Sequence, residues 1–129
     1  VFGRVLKVLG LPRIDRKNAS ANFEKINDSI SQVIKDKNSI MIFPEGKRSN
    51  QRDLLPFKKG AAYISKDFQL PIIPVVTHNA HNLMRKGEVW LRSGEINIEI
   101  LDPINYSEEL TVEEVTNKIF NLIDEKLKV

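Results

Sequence analysis

The fold is decided by a short stretch in the first half of the chain, Ile40-Met41-Ile42-Phe43-Pro44-Glu45-Gly46-Lys47-Arg48-Ser49. Its first four residues form a continuous apolar run, which predicts a strand buried on both faces. Pro44 cannot extend a sheet ladder, and Gly46 permits a turn with positive φ. The charged residues are therefore expected in a loop at the carboxyl end of a strand, where open α/β sheets place their ligands.

Composition limits the class of protein. The chain has 129 residues, 41% hydrophobic and 29% charged, which is ordinary for a soluble globular protein. We therefore expect residues 1–129 to form a single domain. A net charge of +3 is too small for a general nucleic-acid binder, so no nucleic-acid partner is expected. The absence of cysteine excludes disulfide and thiolate chemistry, and no apolar run approaches the ~20 residues of a membrane-spanning helix.

Hydrophobic periodicity predicts three helices. One precedes the central stretch, with apolar residues at helical spacing: Phe23, Ile26, Ile30, Val33 and Ile34. A second is expected at residues 57–66, where small residues allow close packing on a sheet. The third opens on a capping box at residues 111–114, and one face of it carries Val112, Val115, Ile119, Leu122, Ile123 and Leu127.

Apolar runs predict the strands. Residues 40–43 and 70–76 flank one helix, so they should form a parallel pair joined by a right-handed crossover. Residues 88–92 and 95–101 flank Ser93-Gly94 and predict a β-hairpin. The second of these runs alternates strictly, so one face of it should be buried. The predicted fold class is α/β, with a mixed, partly parallel sheet flanked by helices.

Several blocks of the sequence resemble the glycerophospholipid acyltransferases. Residues 43–49 resemble that family's Phe-Pro-Glu-Gly-Thr-Arg-Ser block, with Lys47 in place of the Thr. Residues 70–76 resemble its fourth motif, and Pro12 and Arg13 depart from its second block, in which apolar residues are usual. The matches to the second and Phe-Lys-x-Gly blocks are Gly10, Ile14, Asp15, Arg16, Phe57, Lys58 and Gly60.

The resemblance, which is strongest to lysophosphatidate acyltransferases, implies an activity. An acyl group would pass from a thioester, acyl-CoA or acyl carrier protein, to a hydroxyl of lysophosphatidate or a related glycerol phosphate. It implies no metal and no cofactor beyond this co-substrate. The fold would be glycerolphosphate-acyltransferase-like and lack its N-terminal portion, and the apolar start at residues 1–11 is interpreted as part of a domain whose earlier portion is missing.

The family's catalytic dyad, His-x-x-x-x-Asp, is not matched here. His78 and His81 are followed at the fifth position by Leu83 and Lys86. We therefore expect no catalytic residue in this chain, which alone should be inactive, with the dyad upstream. A missing N-terminal segment would also hold the enzyme at the cytoplasmic face of a membrane. The histidine pair could instead share a metal, but no third ligand lies nearby.

The acceptor's phosphate requires fixed cations, and Arg offers a planar fork that matches it. The resemblance assigns that role to Arg16, although Asp15 and Arg16 could instead cap the following helix. Glu45 could accept a hydrogen bond from a glycerol hydroxyl, or it could brace Arg48 or the turn's backbone amides. Bracing is favoured, because a carboxylate beside the phosphate would repel it. The predicted binding residues are Arg16, Glu45, Gly46, Lys47, Arg48, Ser49 and Lys58.

Two other classes of function stay open at this point. One is a non-catalytic phosphate- or lipid-binding module. The other is a hydrolase of a phosphorylated or acyl substrate.

Overall fold

The computed structural model describes residues 19–49, 53–83, 87–90 and 92–128, with side chains of the first helix from residue 26 onward. The chain divides into two compact units, Val1–Met41 and Ile42–Val129. The described part of the first unit contains α1 (Ala19–Lys35), which lies where the periodicity predicts a helix. Its Ile30 is buried, and after the helix Lys37 adopts a positive φ of 54° while the amide of Asn38 donates to the carbonyl of Val33.

The second unit contains the remaining described elements. In chain order these are α2 (Gly60–Phe68), β1 (Val75–His78), α3 (Ala80–Leu83), β2 (Asn97–Ile100) and α4 (Val112–Leu127). None of the helices in the described ranges combines the length and the apolar character needed to cross a bilayer.

The sheet of this unit is a two-stranded antiparallel pair. β1 and β2 run from Val75 opposite Ile100 to His78 opposite Asn97, and an antiparallel bridge between Ile72 and Ile104 lies outside this pair. Helix α4 packs on α2 and on β1. The buried core lies between them and consists of Ala62, Val76, Ile104, Val115, Ile119 and Ile123.

Both predicted helices of this unit are present. α4 begins with the predicted capping box: the Thr111 side chain accepts from the Glu114 amide, and the Glu114 carboxylate accepts from the Thr111 amide. α2 begins at Gly60, three residues after the predicted start. Ahead of this helix, the amide of Lys58 donates to the carbonyl of Pro44 at 2.8 Å.

The prediction of a buried strand at residues 40–43 is wrong. The segment is not assigned to a strand, and Met41 and Phe43 are each 79% exposed. The carbonyl of Phe43 accepts from the amide of Gly46 at 3.0 Å, so it closes a turn instead of joining a ladder. The predicted parallel pair with residues 70–76 is consequently absent from the ranges described above, where β1 pairs antiparallel with β2.

The predicted hairpin around Ser93-Gly94 is also wrong. Residues 88–90 are not in a strand, and β2 takes β1 as its partner. The alternating face carrying Ile98 and Ile100 is 65% and 71% exposed instead of buried. An alternating pattern shows that a strand has one apolar and one polar face. It does not determine which strand pairs with it or which of its faces is buried. Here Glu99, the cross-strand partner of buried Val76, shares the face of the sheet that meets α4.

The capping box generates a stability prediction. Replacing Thr111 by Ala removes the oxygen that accepts from the Glu114 amide at 3.2 Å, and we expect a loss of about 0.5–2 kcal/mol in the free energy of unfolding. Thr111→Ser keeps the hydroxyl and should retain most of the stability. Urea unfolding of the three proteins measures the difference, and equal stability of all three would show that the cap contributes nothing.

Candidate functional site

A tight turn follows the central apolar run. Gly46 has φ +69°, the left-handed conformation that its sequence position predicted. The turn is closed by the hydrogen bond from the Gly46 amide to the Phe43 carbonyl. The bond from the Lys58 amide to Pro44 fixes it to the segment before α2. Two parts of the sequence more than ten residues apart are thus joined by backbone hydrogen bonds.

The side chain of Lys58 lies directly over Gly46. A Cβ at position 46 would lie 2.9 Å from Cε and 3.0 Å from Nζ of Lys58. Glycine is therefore favoured by its φ, and a larger residue would also displace the end of the Lys58 side chain. The predicted binding residues Gly46 and Lys58 are thereby brought together.

Glu45 braces the loop. Its Oε2 accepts a hydrogen bond from the Leu55 amide at 3.0 Å in a partly buried position. The sequence argument favoured bracing of Arg48 or of the turn's own amides, whereas the amide that Glu45 accepts from belongs to Leu55, ten residues further along the chain. One acidic oxygen is consequently engaged by the protein backbone, which limits its repulsion of an anion at the loop.

Lys47 and Arg48 extend the cationic surface next to the turn. Both side chains are exposed, whereas Ser49 is half-buried. Because two residues span at most about 7 Å of extended chain, the backbone of Arg48 lies close to Gly46, which Lys58 covers. Within the described residues, neither Lys47, Arg48 nor Lys58 forms an ion pair with a carboxylate. The loop can therefore present cationic groups to a dianionic phosphate. The remaining predicted ligand, Arg16, lies outside the described residues.

Lys59 has a different environment from Lys58. Its Nζ lies 2.8 Å from Oε2 of Glu113 on α4. The hydrogen bond and the charge of Glu113 raise the pKa of Lys59, and those of Lys59 lower the pKa of the Glu113 carboxyl. Lys59 thus has an intramolecular carboxylate partner on α4.

The histidines lie about 30 residues after this loop in sequence. Nε2 of His78 is 3.6 Å from Glu99, whose other oxygen is 2.6 Å from Nζ of Lys126. The hydrogen bond from Lys126 is the largest cause of the lowered pKa of Glu99. An open pocket of about 550 Å³ lies beside His78 and Glu99. Its lining residues are His78, Asn79, Asn97, Ile98, Glu99 and Leu127. The described residues contain no group of three or more His, Asp or Glu side chains that could hold a metal.

Two contacts between the loop region and α4 were missed by sequence reasoning. One is the Lys59–Glu113 ion pair, which joins residues 54 positions apart. The other is an edge-to-face contact of Phe57 with Phe120, whose ring centroids are 5.1 Å apart. The apolar periodicity of α4 placed it against the core but did not indicate which side chains of the loop it would meet.

Comparison with known proteins now identifies the family. The sequence model of the Acyltransferase family matches residues 1–78, and the chain belongs to that family. It is 39% identical over 104 residues to the 1-acyl-sn-glycerol-3-phosphate acyltransferase of Cocos nucifera, covering 81% of this chain and 34% of the relative. It is 39% identical over 106 residues to the enzyme of that name from Haemophilus influenzae, covering 82% and 43%. The chain thus spans less than half the length of these relatives.

A solved structure shows the same fold. The crystal structure of the 1-acyl-sn-glycerophosphate (LPA) acyltransferase PlsC from Thermotoga maritima superposes with a TM-score of 0.65 and 24% sequence identity. The match covers 78% of this chain and 43% of that one.

The geometry of the turn predicts unequal effects of two glycine substitutions. Gly46→Ala forces a Cβ onto φ +69° and against Lys58, and we expect a loss of about 1–3 kcal/mol in the free energy of unfolding. Gly60→Ala is the matched control, because a Cβ there meets nothing within 4 Å and alanine favours helix. Thermal unfolding of both variants tests this, and an equally stable Gly46→Ala protein would contradict the requirement for glycine.

Proposed function

We propose that this chain forms the acceptor-binding part of an enzyme that transfers an acyl group from an acyl thioester, acyl-CoA or acyl carrier protein, to a hydroxyl of lysophosphatidate or a related glycerol phosphate. The relatives named above, both 1-acyl-sn-glycerol-3-phosphate acyltransferases, support this acceptor. The supporting observation in the structure is the turn at Gly46. The side chain of Lys58 lies over this glycine, and the exposed residues Lys47 and Arg48 follow it in the chain.

The chemistry divides between binding and proton transfer. The acceptor phosphomonoester carries about −1.5 to −2 charges at neutral pH, by analogy with phosphoserine. Lys58, Lys47 and Arg48 would bind it, with Arg16 as a further ligand. Attack of the acceptor hydroxyl on the thioester carbonyl forms the ester C–O bond and breaks the C–S bond. The hydroxyl proton passes to a base and then to the departing thiolate.

The base is assigned to residues outside this chain. Neither histidine of these 129 residues is followed by Asp at the fifth position, and the described neighbour of His78 is Glu99. In this proposal the chain orients the acceptor, and a His-x-x-x-x-Asp pair in the wider protein deprotonates it. The reaction uses no metal, cofactor or covalent intermediate, and it takes place at the cytoplasmic face of a membrane.

The role of Arg48 can be tested in the full gene product. Arg48→Ala should lose a charge-assisted hydrogen bond worth roughly 1.5–3 kcal/mol, a decrease of about 10- to 150-fold in kcat/KM for lysophosphatidate. Arg48→Lys should recover only part of it, because the guanidinium fork is lost. The same substitution at Arg92, which pairs with Glu88 at 2.8 Å, is the matched control and should leave kcat/KM unchanged.

An acceptor without phosphate shows whether Arg48 binds the phosphate or only stabilises the structure. The loss caused by Arg48→Ala should shrink when 1-acylglycerol replaces lysophosphatidate, because the missing phosphate has no bond to lose. Equal losses with both acceptors would mark Arg48 as a structural residue instead.

The chain by itself should not catalyse the reaction. Purified residues 1–129, mixed with acyl-CoA and lysophosphatidate, should release no coenzyme A, because neither histidine in them is followed by Asp at the fifth position. Turnover that disappears in His78→Ala or His81→Ala would contradict this assignment. Release of coenzyme A without a phosphatidate product would instead support a thioester hydrolase.

A further inference from the structure

Helix α4 contacts both residues that flank Lys58. The ring of Phe57 meets Phe120 edge to face at 5.1 Å, and Nζ of Lys59 lies 2.8 Å from Glu113. Residues 113 and 120 are seven positions apart, which places them on nearly the same face of the helix, about 10 Å apart along its axis. Helix α4 thus contacts Phe57 and Lys59, the two neighbours of Lys58. The side chain of Lys58 itself lies over Gly46.

The two contacts differ in strength. The Lys59 and Glu113 side chains are 49% and 66% exposed, and an exposed ion pair contributes little to stability. Phe57 is partly buried against the core, and an aromatic pair adds attraction beyond the area that it buries. The Phe57–Phe120 contact is therefore the stronger of the two connections to α4.

We propose that α4 is a positioning element of the phosphate site and that Phe120 is its principal positioning residue. The inference rests on the function proposed above. Phe120 holds Phe57, Phe57 fixes the adjacent backbone, and the Lys58 amide in turn holds Pro44 at 2.8 Å. Loss of the Phe120 ring lets residues 57 and 58 shift away from the turn, so the Lys58 ammonium leaves its place over Gly46. Residues 112–127 lie beyond the part of the chain that matches the family, residues 1–78.

The experiment is a double-mutant cycle in the full gene product, read as KM and kcat for lysophosphatidate. Lys58→Ala should raise KM about 10-fold or more with little change in kcat, because a ground-state phosphate contact is lost. Phe120→Ala should raise KM about 2- to 30-fold, a typical range for coupling through packed residues. The double variant should be no worse than Lys58→Ala, because both substitutions remove the same contact.

Two further variants separate positioning from general stability. Phe120→Tyr keeps the ring and should retain the KM of the unmodified protein. Leu122→Ala removes another partly buried apolar side chain that packs on the core, on a different face of the same helix. It should lower the melting temperature without raising KM.

The possible results have distinct meanings. If Phe120→Ala and Leu122→Ala both raise KM in proportion to their loss of melting temperature, the positioning role is overturned. Additive effects of Lys58→Ala and Phe120→Ala would overturn it as well, while leaving the phosphate site in place. An unchanged KM in Lys58→Ala would remove Lys58 from the phosphate site and overturn the positioning role, whereas absence of acyl transfer to lysophosphatidate by the unmodified gene product would overturn the proposed function.

Discussion

Burial of one face of α4 is the interaction on which the second unit depends. Val115 of this helix is fully buried, and Ile119 and Ile123 are 6% and 9% exposed. They pack with Ala62 of α2 and Val76 of β1, so one helix covers both a helix and the sheet. Because two paired strands are at best marginally stable in water by themselves, β1 and β2 depend on this cover to persist as a sheet.

The same helix also contacts the segment that holds the charged loop at residues 43–49. The loop has little regular structure of its own, so individual hydrogen bonds determine its shape. The amide of Leu55 donates to the carboxylate of Glu45, and the amide of Lys58 donates to the carbonyl of Pro44. Both donors belong to the segment that enters α2, and α2 packs on α4. The position of the cationic loop is therefore set by packing further along the chain, which is how loops carry function on a rigid scaffold.

The sequence predicted the local features well and the long-range ones poorly. The capping box of α4, its buried face and the positive φ of Gly46 depend on residues within a few positions of each other, and all three predictions are confirmed. The strand at residues 40–43 and the hairpin required a choice of pairing partner, which no local pattern contains. The candidate site divides similarly: the residue types of the loop were visible, whereas its contacts with Phe120 and Glu113 join positions far apart in sequence.

The distribution of charge explains why this loop is suited to an anion. Several cationic side chains of the described residues form ion pairs with carboxylates. These pairs are Lys59–Glu113, Arg92–Glu88 and Lys126–Glu99. Near the turn the acidic residue is Glu45, and one of its oxygens is occupied by the Leu55 amide. No carboxylate of the described residues is ion-paired with Lys58. Because breaking an existing ion pair would offset part of the binding energy, a cation without such a pair binds the ligand more strongly than an engaged one.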